Sequence, residues 1–347
     1  MNMTAAKMYG KDDLRVEWVP VPDIGEDEIL LKVKAASICG TDLRMLKNGA
    51  VNVRESSPLI LSHEFSGTIE KTGSLVSGCK PGDRVSVAPN IGCGKCFHCV
   101  SGNGHHCKEL TALGVHMDGG FAEYARIPSS AVRLGNVTLL ADTLSFGAAA
   151  ANEAFSCVYN AFERYRVRAG DVVLVIGAGA IGLMHVKLAK MAGAAKIMLN
   201  DLSAERLRYC AGIEPSIITV EDALERRISE ETGGKGADVV VTACSAAAAQ
   251  RAALSLAGLD GRVNFFGGLP KGKENVELDT NLIHYKQLSV TGTTRASLRH
   301  YRETLELTAS GLIDLDCLIT HEFPLADIRK GFDNAANAIG LKQLIVF

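Results

Sequence analysis

The run Val172-Val173-Leu174-Val175-Ile176-Gly177-Ala178-Gly179-Ala180-Ile181-Gly182 decides the fold of this chain. Five apolar, mostly β-branched residues read as a buried strand, and three glycines follow at once in G-x-G-x-x-G spacing. That context turns a common pattern into a specific one. Gly177 permits a tight turn, Gly179 removes the side chain that would block a pyrophosphate, and Gly182 lets the next helix pack closely on the strand. Ala180 and Ile181 belong to the same turn, where the helix N-terminus would face phosphates. Asp201, 19 residues after Gly182, ends the next strand, where a carboxylate can accept both ribose hydroxyls and repel a 2′-phosphate. NAD is therefore expected rather than NADP. Arg206 could receive a 2′-phosphate, but it sits in a helix whose expected cap is Ser203.

Outward from this point, apolar strands alternate with amphipathic helices, the sign of a parallel doubly wound sheet. Six strands are expected: 172–176, 197–200, 216–219, 238–242, 262–266 and 288–291, enough to complete a Rossmann sheet. Residues 1 to about 155 read differently, with many glycines, short β-branched runs and the turn Pro81-Gly82-Asp83, as twisted β-structure. After Arg295 comes a helix over 298–308, then strand-like runs at 317–322 and 341–347 separated by a helical stretch. The expected fold class is α/β: a β-rich domain over 1–155, completed by 296–347, and a Rossmann domain over 156–295. The run Ala246–Ala249 is expected to open a helix.

A length of 347 residues accommodates two cores. Net charge is −2, so no summed field favours phosphate backbones or anionic membranes, and neither nucleic acid nor membrane is an expected partner. The opening MNMTAAKMYG has no apolar leader region, and the reading is of a cytoplasmic protein. In that setting the ten cysteines point to metal rather than disulfides. Cys93, Cys96, Cys99 and Cys107 form a C-x2-C-x2-C-x7-C run that fits a closed tetrahedral zinc site with a structural role. His98, His105 and His106 lie among them and read as exposed loop residues. Cys79, Cys157, Cys210, Cys244 and Cys317 are isolated and read as small core residues.

A second, open set of possible ligands is Cys39, His63, Glu64 and Glu153. Cys39 and His63 are 24 residues apart, and spacing alone does not bring them together. Here Cys39-Gly-Thr-Asp42, His63-Glu-Phe-Ser-Gly67, Pro81-Gly-Asp-Arg-Val85, the four-cysteine run, Gly119-Gly-Phe-Ala-Glu-Tyr124 and the glycine fingerprint fall in one order along the chain. In that order the chain resembles the zinc-containing medium-chain dehydrogenase/reductases, which include alcohol, sorbitol and threonine dehydrogenases, over nearly its whole length. The resemblance implies a GroES-like catalytic domain beside the Rossmann domain, with one catalytic and one structural zinc per subunit and assembly as a tetramer or dimer. It makes Cys39 and His63 catalytic zinc ligands, puts Glu153 in the third-ligand place of the polyol branch, and makes Glu64 an alternate ligand or a residue orienting the metal. Thr41 would take the alcohol proton, or cap the helix that follows.

Three departures stand near the site. Ser62 replaces the usual glycine before His-Glu, Asn152 and Ala154 flank Glu153 where Glu-Pro is common, and Arg44 replaces a histidine at the outer end of the proton relay. Arg44 and Arg295 are candidates to bind a carboxylate or phosphate on the substrate, or else surface arginines paired with acids. The implied activity is NAD-linked oxidation of a secondary alcohol of a polyol, sugar acid or sugar phosphate to the ketone. The alternatives are an L-threonine 3-dehydrogenase-like enzyme and a non-catalytic nucleotide-binding relative.

Overall fold

A computed structural model describes residues 1–347. The chain divides into two compact units, residues 1–156 with 296–347, and residues 157–295.

In the first unit, the apolar strand Ile29–Ser37 is the hub of a seven-stranded sheet. It pairs antiparallel with Phe65–Thr72, Tyr124–Ile127 and the late strand Lys342–Val346. Beyond Lys342–Val346 lies Ile319–Pro324 in parallel, so the tail adds two strands to a sheet begun by the N-terminal third. Asn2–Gly10 forms a second sheet with Asp13–Pro20 and Leu59–Ile60. Ala5, Met8, Leu31, Leu61, Phe65, Phe121, Ile127 and Ile345 meet in one core, each at most 1% exposed. Register does functional work here. Ala36 faces Phe65 and Ser37 faces Leu344, so Cys39 and His63 emerge from neighbouring strand ends.

The second unit holds a six-stranded parallel sheet in the spatial order 3-2-1-4-5-6: Ile218–Val220, Lys196–Asn200, Val172–Ile176, Ala237–Thr242, Ala257–Phe265 and Ser289–Gly292. The α/β expectation holds, and the six strands fall at or near their expected places. The third begins two residues later than read, and the fifth starts at Ala257 instead of Arg262. The alanine run opens the helix Ala247–Leu256. No helix is long and apolar enough to cross a membrane.

The chain forms no disulfide. Of the isolated cysteines Cys210 is fully buried and Cys79 and Cys244 are partly buried against the cores, whereas Cys157 and Cys317 are partly exposed, which corrects the reading of those two as core residues. Cys317 sits in a short 3-10 turn at 316–318, where local backbone geometry rather than packing places it.

The core of the second unit contains a polar pair. Tyr165 Oη and His185 Nδ1 are 2.8 Å apart, His185 is 0% exposed, and the ring of Phe266 stands edge-on 5.0 Å away. Burial pushes the His185 pKa down to about 3, from an unperturbed value of 6.5. The unfolded chain therefore takes up a proton below pH 6.5 that the folded chain refuses. Stability from this residue is complete above pH 6.5 and is lost as pH falls towards 3. Between pH 7 and 5.5 the loss is about 1 kcal/mol. His185→Gln can still bond Tyr165 and does not titrate, so its unfolding free energy, measured in denaturant at both pH values, is expected to fall by that much less than wild type.

Candidate metal centre and nucleotide site

Cys39 lies two residues past the hub strand Ile29–Ser37 and caps the helix Gly40–Asn48. Its Sγ accepts from Thr41 N at 3.1 Å, while Asp42 Oδ2 accepts from Cys39 N at 2.9 Å. The helix cap is thus Cys39 and not Thr41, so the capping alternative for Thr41 falls away. His63 and Glu64 lie in the turn that leads into Phe65–Thr72. Glu153 reaches the same place from the helix Phe146–Tyr165.

Cys39 Sγ and His63 Nε2 are 3.2 Å apart, and Glu153 Oε2 is 4.0 Å from His63 Nε2. Two ligands of one tetrahedral zinc stand roughly 3.3–3.8 Å apart, given bond lengths of about 2.0–2.3 Å. The two observed separations bracket that range, and thiolate, imidazole and carboxylate are the donors zinc takes. Cys39, His63 and Glu64 also place ligand atoms within 4.8 Å of one another, while Glu153 is 8% exposed and Glu64 2%. Burial pushes the Cys39 thiol up, with Asp42 and Glu64 adding to the effect against His63. Burial disfavours a charged His63, but Cys39, Glu153 and Asp42 outweigh it and raise its pKa. These surroundings suit a cation, and a metal binding there displaces protons.

The two carboxylate candidates differ in their partners. Glu64 Oε2 is held by the Lys342 ammonium and the Ser37 hydroxyl, all three residues at most 5% exposed. Burial works against the Lys342 charge, but Glu64 and Cys39 outweigh it and hold Lys342 protonated. Sequence reasoning missed Lys342 and Ser37. The available signal was a lysine inside the apolar strand Lys342–Val346.

Around this set, Arg44 is exposed and its Nη2 donates to Thr41 Oγ1 at 2.9 Å. Arg295, in the second unit, is exposed with φ of 56°, and its carbonyl accepts from Asn160 Nδ2 at 2.8 Å.

The four cysteines Cys93, Cys96, Cys99 and Cys107 place their sulfurs within 4.8 Å of one another, with Cys93 and Cys99 4.0 Å apart. Four thiolates suit zinc and leave no open position. Backbone N–H groups of Lys95 and Cys96 pull the Cys93 thiol down to about 7, towards the thiolate that a metal needs. A side chain on Gly92 would strike the Cys99 sulfur, so glycine is required there. Of the three histidines, His105 is 3% exposed and packs on His106 and His300, which corrects its reading as an exposed loop residue. His98 is partly exposed and His106 exposed.

In the second unit, Gly177 has φ of 118° and packs against the Ala243 carbonyl, and a side chain on Gly182 would strike the Gly177 carbonyl. Gly179 caps the helix Ala180–Met191, which includes Ile181, and a side chain there would meet little but Arg206. That leaves backbone amides open to an anion. Asp201 Oδ2 accepts from Ala178 N at 2.7 Å and Oδ1 from Ser203 N at 2.9 Å, which ties the strand end to the glycine turn. Ser203 caps the next helix by accepting from Arg206 N, as expected.

Removing Lys342 leaves a buried carboxylate with only a hydroxyl. Lys342→Met is expected to destabilise the protein by about 3–5 kcal/mol in denaturant unfolding, and adding Glu64→Met should restore much of that. An unchanged single variant would show that the pair is not desolvated.

Comparison with known proteins extends these observations. Residues 25–135 match the family described as alcohol dehydrogenase GroES-like domain, and residues 180–310 match zinc-binding dehydrogenase. The chain is 36% identical to L-threonine 3-dehydrogenase of Bacillus licheniformis, covering 96% of this chain and 95% of that one. It is 34% identical to sorbitol dehydrogenase of Bacillus subtilis, covering 96% and 94%. A zinc-binding dehydrogenase of Sinorhizobium meliloti 1021, solved with NADP, superposes with a TM-score of 0.90 at 31% identity over 100% of both chains. The chain belongs to the zinc-binding alcohol dehydrogenase family, with a GroES-like domain and a Rossmann domain.

Proposed function

We propose that this protein oxidises a secondary alcohol of a polyol, sugar acid or sugar phosphate to the ketone, with NAD as hydride acceptor. The observation that carries the reading is the convergence of Cys39, His63 and Glu64, with Glu153 4.0 Å from His63, in a chain that also carries the glycine turn. Cys39, His63 and one of the two glutamates would hold zinc. Glu153 is favoured as the resting third ligand because Glu64 is already paired with Lys342 and Ser37.

Held there by Cys39, His63 and a glutamate, zinc would supply Lewis acidity, letting a secondary alcohol lose its proton near neutral pH. Thr41 takes that proton by hydrogen bond, since a hydroxyl both accepts and donates. Arg44 occupies one acceptor position of the Thr41 oxygen and carries a permanent charge, so it cannot accept the proton itself. From Thr41 the proton would pass on towards solvent. The exposed Arg44 guanidinium is suited to a carboxylate or phosphate on the substrate, and Arg295 is a second candidate for that task. Gly177, Gly179, Ala180, Ile181 and Gly182 would receive the pyrophosphate. Asp201 would take the ribose hydroxyls in preference to a 2′-phosphate, with Arg206 beside the turn. The second zinc, on Cys93, Cys96, Cys99 and Cys107, has a structural role.

A second reading, an L-threonine 3-dehydrogenase, is favoured by the 36% identity to such an enzyme over almost the whole chain. The reading is completed by a cytoplasmic location and a homotetramer, supported for the location by ten cysteines with no disulfide.

The deciding experiment follows NAD reduction against polyols, sugar acids, sugar phosphates and L-threonine. Turnover on one of the first three classes, abolished by Arg44→Ala only for anionic members, is expected; turnover on L-threonine alone would replace this reading with the second. Metal analysis should find two zinc equivalents per chain. His63→Ala is expected to keep one with its melting temperature little changed, whereas Cys96→Ser keeps the other and melts lower.

A further inference from the structure

Eight non-glycine residues have positive φ, and seven of them are solvent-exposed: Asp12, Arg166, Ala223, Asp260, Gln287, Arg295 and Ala338. The eighth, Ser62, has φ of 69° and is 0% exposed. It directly precedes His63 and Glu64. A buried residue stays in the left-handed region only where its surroundings over-determine it, and such strain gathers at working sites.

Every polar group of Ser62 is engaged. Its N–H donates to Asp42 Oδ1 at 3.2 Å, and the same carboxylate accepts from Cys39 N through its other oxygen at 2.9 Å. Its carbonyl accepts from Gly120 N at 3.0 Å. Gly114 and Gly119 press on that carbonyl so closely that neither could carry a side chain. Its hydroxyl accepts from Glu64 N at 3.3 Å and lies 3.2 Å from the Glu64 carbonyl and 3.4 Å from the Ser37 carbonyl, either of which can take its proton.

From this geometry we infer that Ser62 is a positioning residue for the metal ligands. The Asp42 carboxylate ties the two ligand-bearing segments together through Cys39 N and Ser62 N, the left-handed turn at Ser62 sets the direction in which His63 leaves the backbone, and the hydroxyl fixes the peptide of Glu64. A glycine could adopt the same turn without strain, but it supplies no hydroxyl and is free to leave that conformation. Serine at this point holds a strained turn and gains a fixed peptide at Glu64. The inference rests on the reading that Cys39, His63 and a glutamate bind zinc.

The test compares wild type, Ser62→Gly and Ser62→Ala as zinc-loaded protein. It measures the rate at which each of the two zinc equivalents passes to a coloured chelator, together with the melting temperature. Ser62→Gly is expected to release the zinc held by Cys39 and His63 at least tenfold faster than wild type. The four-cysteine zinc, an internal control, should leave at the wild-type rate, and the melting temperature should be unchanged or raised. Ser62→Ala keeps the strain without the hydroxyl and should combine fast release with a lower melting temperature. Release from Ser62→Gly at the wild-type rate overturns the inference. So does an acceleration that disappears when each protein is assayed at the same interval below its own melting point, since that marks a purely structural role. If wild type itself takes up only the four-cysteine equivalent, the zinc reading fails first and the inference falls with it.

Discussion

The Glu64 carboxylate is buried beside a set of groups that suit a cation, and the charge that balances it comes from Lys342, 278 residues further along the chain. A carboxylate and an ammonium that share so little water are each costly to bury alone, and each stabilises the protein only in the presence of the other. The register between Leu344 and Ser37 follows from this requirement as much as from apolar packing, because it brings Lys342 to Ser37 and Glu64. The turn at Ser62 meets the Glu64 peptide and the Ser37 carbonyl beside that pair, while Asp42 holds both Ser62 N and Cys39 N.

The second unit depends on a different constraint. Its two central strands, Val172–Ile176 and Ala237–Thr242, are buried along nearly their whole length and are largely Val, Leu and Ile, and the glycine turn must pass between the Ala243 backbone and the helix that follows. This is why that half of the chain could be read so fully. A strand of five apolar residues and three glycines each have one dominant physical reason, and the doubly wound parallel sheet was expected from them.

At the candidate metal centre the sequence offered the donor atoms and much less of what holds them. Four closely spaced cysteines announce a closed tetrahedron, whereas Cys39, His63 and Glu153 come from a strand end, a turn and a helix, and resemblance had to bring them together. Lys342 and Ser37 carry no motif, and Asp42 entered only as the last residue of Cys39-Gly-Thr-Asp42 with no role attached, since a buried charge is recognisable only once its partner is known. His105 misled for a related reason. Histidine among cysteines in a glycine-rich loop reads as exposed, but packing on His106 and His300, the latter some 195 residues away, buries it.

The discontinuity of the first unit has a consequence for synthesis. Residues 157–295 are contiguous and can fold as soon as they have been made, but the first unit waits for 296–347. Until Lys342 has been translated, Glu64 has no counter-charge and the hub strand Ile29–Ser37 keeps one edge without its partner. During that interval the nascent chain carries an open sheet edge beside an unbalanced carboxylate, the kind of surface that chaperones shield. The order of translation therefore makes the Rossmann unit available before the metal-binding unit can close.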